Sequence, residues 1–385
     1  MNILPRHWNA IHITHAITPL PTAMQVTSYA KALTLFESGQ LHLYDITLDT
    51  QPSIPGRSTT MVLMGGSTGD GAGLDMSGIA PDIRMWDADC TFPQHGINLG
   101  IAPVKTGEML QMEMAKQGAA QMPWVLFSAN DDALCIAWAG VSWPDLSAYV
   151  WVGDWARACG RDWYYSNTFL QGTNHKPPCQ WMDLDGERPE TGFSLHWPSF
   201  TMDPAEVPTN KTHIDRIKHH ICQGPPYESH TDRDPRGLRC NPDYEFPDWT
   251  DDSLWNCDGS RRTDGNYLSD DHCKYTNNTE PELGAPPTRG SQAHDSSLVI
   301  TDDPAHSAEE LCAHRTSRGP NLVNTHGGNY CHMVDKSIWP VCSSKTASDC
   351  FDKDAQLLMV EGVSKRDTQY KKIIDWTGNS NNDSS

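Results

Sequence analysis

The sequence predicts a mainly β protein: an N-terminal antiparallel β-sandwich or jelly-roll-like module, then loop-rich, disulfide-stapled segments with short helices. Three observations carry this. Up to about residue 200, short apolar runs recur between turn signals, with no helical period between them. Beyond that point aliphatic residues thin out, and residues 201–300 hold ten prolines but only twelve Met, Val, Ile or Leu. Twelve cysteines, four in each of three successive segments, supply cross-links where apolar material is short.

Taken in order, residues 1–24 form a segment interrupted by histidines and prolines and expected to be poorly ordered, and the β domain spans 25–200. Leu41-His42-Leu43-Tyr44-Asp45-Ile46 and Thr60-Met61-Val62-Leu63-Met64 read as strands. In Leu110-Gln111-Met112-Glu113-Met114 apolar and polar residues alternate, the period of a half-buried strand. Pro123-Trp124-Val125-Leu126-Phe127 is continuously apolar, as a strand buried on both faces would be. Turn signals at Asn130-Asp131-Asp132 and Pro144-Asp145 then predict a three-stranded meander with Ala133–Trp138 and Ala148–Val152.

Residues 201–300 cannot bury a large core, and are read as irregular chain held by its own cysteines. One helix is expected there, from Ile214, Ile217 and Ile221 at helical spacing, with Thr209 or Asn210 available as cap. A linker is expected over 280–297. A small module follows over 301–376, in which Ser307-Ala308-Glu309-Glu310 is a capping box opening a short helix. Residues 377–385 are a small, polar tail.

The cysteines are Cys90, Cys135, Cys159 and Cys179, then Cys222, Cys240, Cys257 and Cys273, then Cys312, Cys331, Cys342 and Cys350. No CxxC pair occurs, which argues against zinc and for disulfides, and even counts predict bridges closed within each segment. Disulfides place the chain outside a reducing cytosol. N-x-S/T acceptor sites at Asn210, Asn277 and Asn382 point the same way. Residues 1–25 contain no apolar run of seven, so no signal peptide is visible, and the leader is expected to precede this start. The formal net charge of −20 repels phosphate backbones and anionic lipid, so nucleic acid is not an expected partner. No run of eighteen apolar residues is present to span a membrane.

Two stretches, GDWARACGRDWYYSN (Gly153–Asn167) and GPNLVNTHGGNYCHMVDKSIWPVC (Gly319–Cys342), resemble segments of uncharacterised cysteine-rich secreted proteins of filamentous fungi. The resemblance implies secretion. It transfers no catalytic residue, because that group has no assigned activity.

Chemistry-bearing motifs are few. Gly65-Gly66-Ser67-Thr68-Gly69 matches G-x-S-x-G, but Asp70-Gly71-Ala72-Gly73 follows where a nucleophile elbow needs a helix. It reads as a glycine-rich loop. The same glycines fit no nucleotide-binding pattern, and no cofactor is expected. Among seventeen histidines, Asp215 and His219 stand at i, i+4, while His213 and His220 are two turns apart. The expectation is exposed histidines on a solvated helix face and no metal. Asp183-Leu184-Asp185-Gly186 resembles half a calcium loop, with glycine at the wrong position for an EF-hand.

Fourteen tryptophans are the strongest hint of binding. Around Trp151, Trp155 and Trp163 they adjoin Asp154, Asp162, Tyr164 and Tyr165. Open aromatic rings beside carboxylates suit sugars; the competing reading is that tryptophan fills a core poor in aliphatics. The sequence therefore points to a secreted, disulfide-stabilised protein without catalytic activity, acting at a cell wall, cell surface or host interface and binding glycans. The alternatives are a polysaccharide hydrolase using paired carboxylates and a calcium-binding structural protein.

Overall fold

A computed structural model of the chain describes residues 26–50, 58–62, 78–90, 94–95, 103–104, 110–114, 121–130, 133–143, 145–184, 190–235, 237–251, 254–256, 297–344, 346–360, 363–365 and 370–378. It is mainly β, with a few short helices, as the sequence predicts. A long hairpin opens the fold, Val26–Leu35 pairing antiparallel with Leu41–Thr50. Gly39 makes its turn at φ +73°, a backbone conformation that glycine adopts without strain. A four-stranded antiparallel sheet runs in the order Ala148–Val152, Trp138–Ser142, Ser58–Val62, Leu110–Met114. A five-stranded antiparallel sheet runs Tyr227–His230, Gly192–His196, Trp124–Ser128, Asp82–Trp86, Gln94–His95. The two meet through Trp151, whose ring lies 5.0 Å from Phe193 and 5.9 Å from Tyr227.

The expected meander does not form: of Ala133–Trp138 only Trp138 pairs with Ala148–Val152, whose partner strand is Trp138–Ser142. Trp124–Ser128 does not join them: it is buried throughout and takes Gly192–His196 on one edge and Asp82–Trp86 on the other. A strand apolar on both faces sits in mid-sheet and needs two partners, and here both are distant in sequence. Leu134–Ile136 breaks away at Ala137 to pair with Cys179–Met182, which in turn pairs with Trp163–Tyr164.

The helix Lys211–Gln223 forms as its isoleucines require. Ile214, Ile217 and Ile221 are buried, and the Asn210 side chain accepts the Thr212 N–H at 2.8 Å. His220 departs from the expected solvated face. It is buried, with Nε2 2.9 Å from the Tyr244 hydroxyl. Asp215 pairs with Lys211 one turn back, at 2.8 Å.

The C-terminal region builds a five-stranded mixed sheet about Ser297–Thr301, which runs parallel to both Asn321–Asn324 and Lys372–Asp375. Asn329–His332 and Ser337–Pro340 extend it antiparallel. A parallel pair needs a crossover, and the helix Ala308–Ala313 lies within it, capped by Ser307 accepting the Glu310 N–H at 3.1 Å. This region shares the main core: Leu311, Leu322, Cys331 and Trp376 belong to the same buried cluster as Trp155 and Phe193. At the seam Trp163 bridges to Ser317, and Gly319 (φ +135°) lies so close to Tyr164 that a Cβ would sit 2.7 Å from its ring.

Five disulfides are described: Cys90–Cys240, Cys135–Cys179, Cys159–Cys222, Cys312–Cys331 and Cys342–Cys350. Closure within segments holds for three. Cys90–Cys240 and Cys159–Cys222 instead tie the first segment to the second, because the aliphatic-poor second segment folds back over the β domain. Cys257 and Cys273 lie outside the described residues, as do Asn277, Asn382, the glycine motif 65–73 and the 280–296 stretch. No helix among the described residues is long and apolar enough to cross a membrane.

Candidate functional site

The binding residues expected from sequence are buried. Trp151, Trp155, Trp163, Tyr164 and Asp154 have no exposed surface, and Tyr165 and Asp162 have almost none. None offers an open ring to a sugar, which corrects that expectation. The physical reason is the shortage of aliphatic residues: tryptophan and tyrosine fill the interior. Trp155 donates its indole N–H to the Leu33 carbonyl at 2.7 Å, Tyr164 its hydroxyl to the Pro320 carbonyl at 3.1 Å, and Asp162 accepts from Arg318 at 3.3 Å.

Three of these residues nevertheless belong to one polar network. Asp154 opens the short helix Asp154–Ala158, where a carboxylate suits the helix start. Its Oδ2 lies 2.7 Å from His175 Nε2, and its Oδ1 3.4 Å from Arg157 Nη2. Arg157 Nη1 donates to Glu310 Oε1 at 2.8 Å, and Tyr165 donates its hydroxyl to Glu310 Oε2 at 2.6 Å. The guanidinium lies 5.7 Å from the Trp163 ring centroid. Trp163 donates its indole N–H to His314 Nδ1 at 2.9 Å. The capping box is therefore half used: Ser307 caps the helix, while the Glu310 carboxylate reaches across to Arg157. Burial pushes the Glu310 carboxyl up, against the opposing pull of Arg157. Burial also holds His314 down to about 4, so it is neutral and can accept the Trp163 bond at Nδ1.

Above this network the hairpin end supplies a ring cluster that the sequence reading does not single out. Side chains 42, 44, 46 and 48 share one face of their strand. Ile46 and Leu48 are buried, Tyr44 is half-buried and His42 is exposed, so the face runs from core to solvent toward the turn. Tyr44 stacks on His175 at 5.1 Å and 11°, with Phe36 edge-on to both and His42 4.5 Å from Tyr44. Burial, then the Asp154 charge, pushes the Tyr44 hydroxyl up. His175 is held in a tight loop: its carbonyl accepts the Leu170 N–H at 2.8 Å, and its N–H reaches Thr173 Oγ1 at 3.1 Å. Glu37, exposed at the turn, forms no ion pair among the described residues, and its charge reaches Glu310 and Tyr165.

The resulting patch has Phe36, His42, Tyr44 and His175 as its rings. Asp154, Arg157, Glu310 and Glu37 are its charges, three acids against one guanidinium. Arginine and glutamate at positions 157 and 310 carry no local signal of pairing. The alternation His42/Tyr44 toward a hairpin turn is the one cue available in sequence. Asp185 and Gly186 of the half calcium loop lie outside the described residues, and no group of three His, Cys, Asp or Glu among the described residues could hold a metal ion. No protein-family model, curated protein or solved structure matches the chain.

Proposed function

We propose that this is a secreted, disulfide-stabilised, non-catalytic protein that acts at a cell wall, cell surface or host interface and binds glycans through the Phe36–His42–Tyr44–His175 patch. One observation carries the reading. A half-buried tyrosine is stacked on a histidine whose far edge is fixed by a fully buried carboxylate. Apolar ring surface beside rigidly held polar groups is what a sugar uses, with C–H faces against rings and hydroxyls on the polar atoms. The excess of carboxylates, in a chain of net charge −20, favours neutral or amine-bearing sugars over uronates and phosphates. The disulfides and the likeness to cysteine-rich secreted proteins of filamentous fungi support an extracellular setting.

A glycan array tests this. Binding without product is expected, weakened about tenfold in Tyr44→Ala, since a well-packed interfacial tyrosine contributes on the order of 1 kcal/mol or more. Binding that is indifferent to Tyr44 would exclude this patch.

A second reading has its own support. Asp154 and Glu310 converge on one guanidinium, and Glu310 is pushed toward its protonated form by burial. That is the material of a general acid and a partner carboxylate in a polysaccharide hydrolase. Turnover of a model polysaccharide, abolished in Glu310→Gln, would favour it.

A further inference from the structure

We infer that Asn210 carries an N-linked glycan, its amide oxygen capping a helix while its amide nitrogen holds the sugar. The inference rests on the proposed passage through a secretory pathway. Asn210-Lys211-Thr212 is an acceptor sequence, and all three residues are exposed. Asn210 has extended backbone angles (φ −79°, ψ 127°), and its Oδ1 accepts the Thr212 N–H at 2.8 Å. A planar amide places Nδ2 on the other side of Cγ from Oδ1, so the nitrogen turns away from the N–H groups of the helix start. Nδ2 makes no hydrogen bond among the described residues. Transfer from a lipid-linked oligosaccharide diphosphate forms the bond from Nδ2 to the anomeric carbon as the bond from that carbon to the diphosphate breaks. The lipid diphosphate leaves, the amide proton passes to solvent, and the capping oxygen is untouched, so modification and cap coexist. Lys211, the middle residue, is drawn along the helix by Asp215 at 2.8 Å and leaves the amide open.

The same geometry separates the two roles. Thr212→Ala destroys the acceptor sequence but keeps the backbone N–H that Asn210 caps. Asn210→Asp removes the attachment nitrogen but keeps a capping oxygen. The test expresses the full chain in eukaryotic cells behind an added secretory leader. Protein is purified from the medium and treated with peptide N-glycosidase in isotopically heavy water, and its peptides are then mapped. The expected result is heavy-labelled aspartate at position 210. Both variants should lose one glycan step on gels and, once every chain has been enzymatically deglycosylated, share the thermal midpoint of the wild type. Folded protein from the medium with an unmodified Asn210 would overturn the inference, as would a Thr212→Ala chain with an unchanged number of glycans. If Asn210 is modified behind the added leader but the chain produced from its own gene stays in the cytosol, the extracellular reading fails and the native Asn210 goes unmodified with it, whereas a secreted, folded chain bearing a bare Asn210 overturns this inference alone.

Discussion

Glu190 offers a direct measurement of what burial does to a carboxyl group in this fold. It is almost entirely buried, and its Oε2 accepts from Gln180 Nε2 at 2.9 Å, while Gln180 Oε1 accepts the Tyr227 hydroxyl at 2.6 Å. Burial first, then the Asp162 charge, raises its pKa to about 7 from an ordinary 4.5. Between those values the folded chain keeps a proton that the unfolded chain has released. Unfolding then releases a proton, so the contribution of Glu190 to stability is fully present below pH 4.5 and falls as pH rises toward 7. At 1.36 kcal/mol per unit the loss is about 3 kcal/mol. Glu190→Gln keeps the acceptor for Gln180 and cannot ionise.

Histidines act in the opposite sense in both proteins. His196, His306 and His314 are held by burial to about 3, 4 and 4, so they stabilise the fold as pH rises through that range to 6.5. Subtracting the two stability curves cancels them. Urea unfolding followed by tryptophan fluorescence, at several pH values from 4.5 to 8, should show Glu190→Gln gaining about 3 kcal/mol on the wild type across the window, with an unchanged m-value. A constant difference across that window would refute the argument.

Three further outcomes are expected. Arg157→Ala leaves Asp154 and Glu310 buried without their shared cation, and should cost about 3–5 kcal/mol in chemical denaturation; a loss below about 1 kcal/mol would mean that water reaches the network. Serine replacement of Cys90 and Cys240, which close a loop of 150 residues, should cost about 5 kcal/mol, against about 2.5 for Cys342 and Cys350, eight residues apart. Equal melting shifts for the two pairs would contradict the loop-entropy account. Gly153→Ala places a methyl 1.9 Å from the Pro178 carbonyl oxygen, so the backbone must move, and a melt should show a loss above about 4 kcal/mol.

Much of the candidate site is illegible in sequence. Trp151, Trp155 and Trp163 look the same in a row of letters whether they face solvent or fill the core, and here the core needed them. Asp154 and Tyr165 stand in the site for another reason: Arg157 and Glu310, 153 residues apart, meet where two segments fold together. His175 is marked by no pattern; only a turn at Leu170–His175 carries it to Asp154.

What the sequence determined by itself is local. Period two made Leu110–Met114 a strand, continuous burial made Trp124–Ser128 a central one, and Asn210 and Ser307 started their helices. Such features depend on side chains within one or two turns of backbone, so neighbouring letters contain them. Tertiary structure decided which strands flank Trp124–Ser128, which cysteines join across the chain, and which rings stay at the surface. Those choices are made by contacts between distant residues competing for the same buried space, and no local pattern encodes the winner.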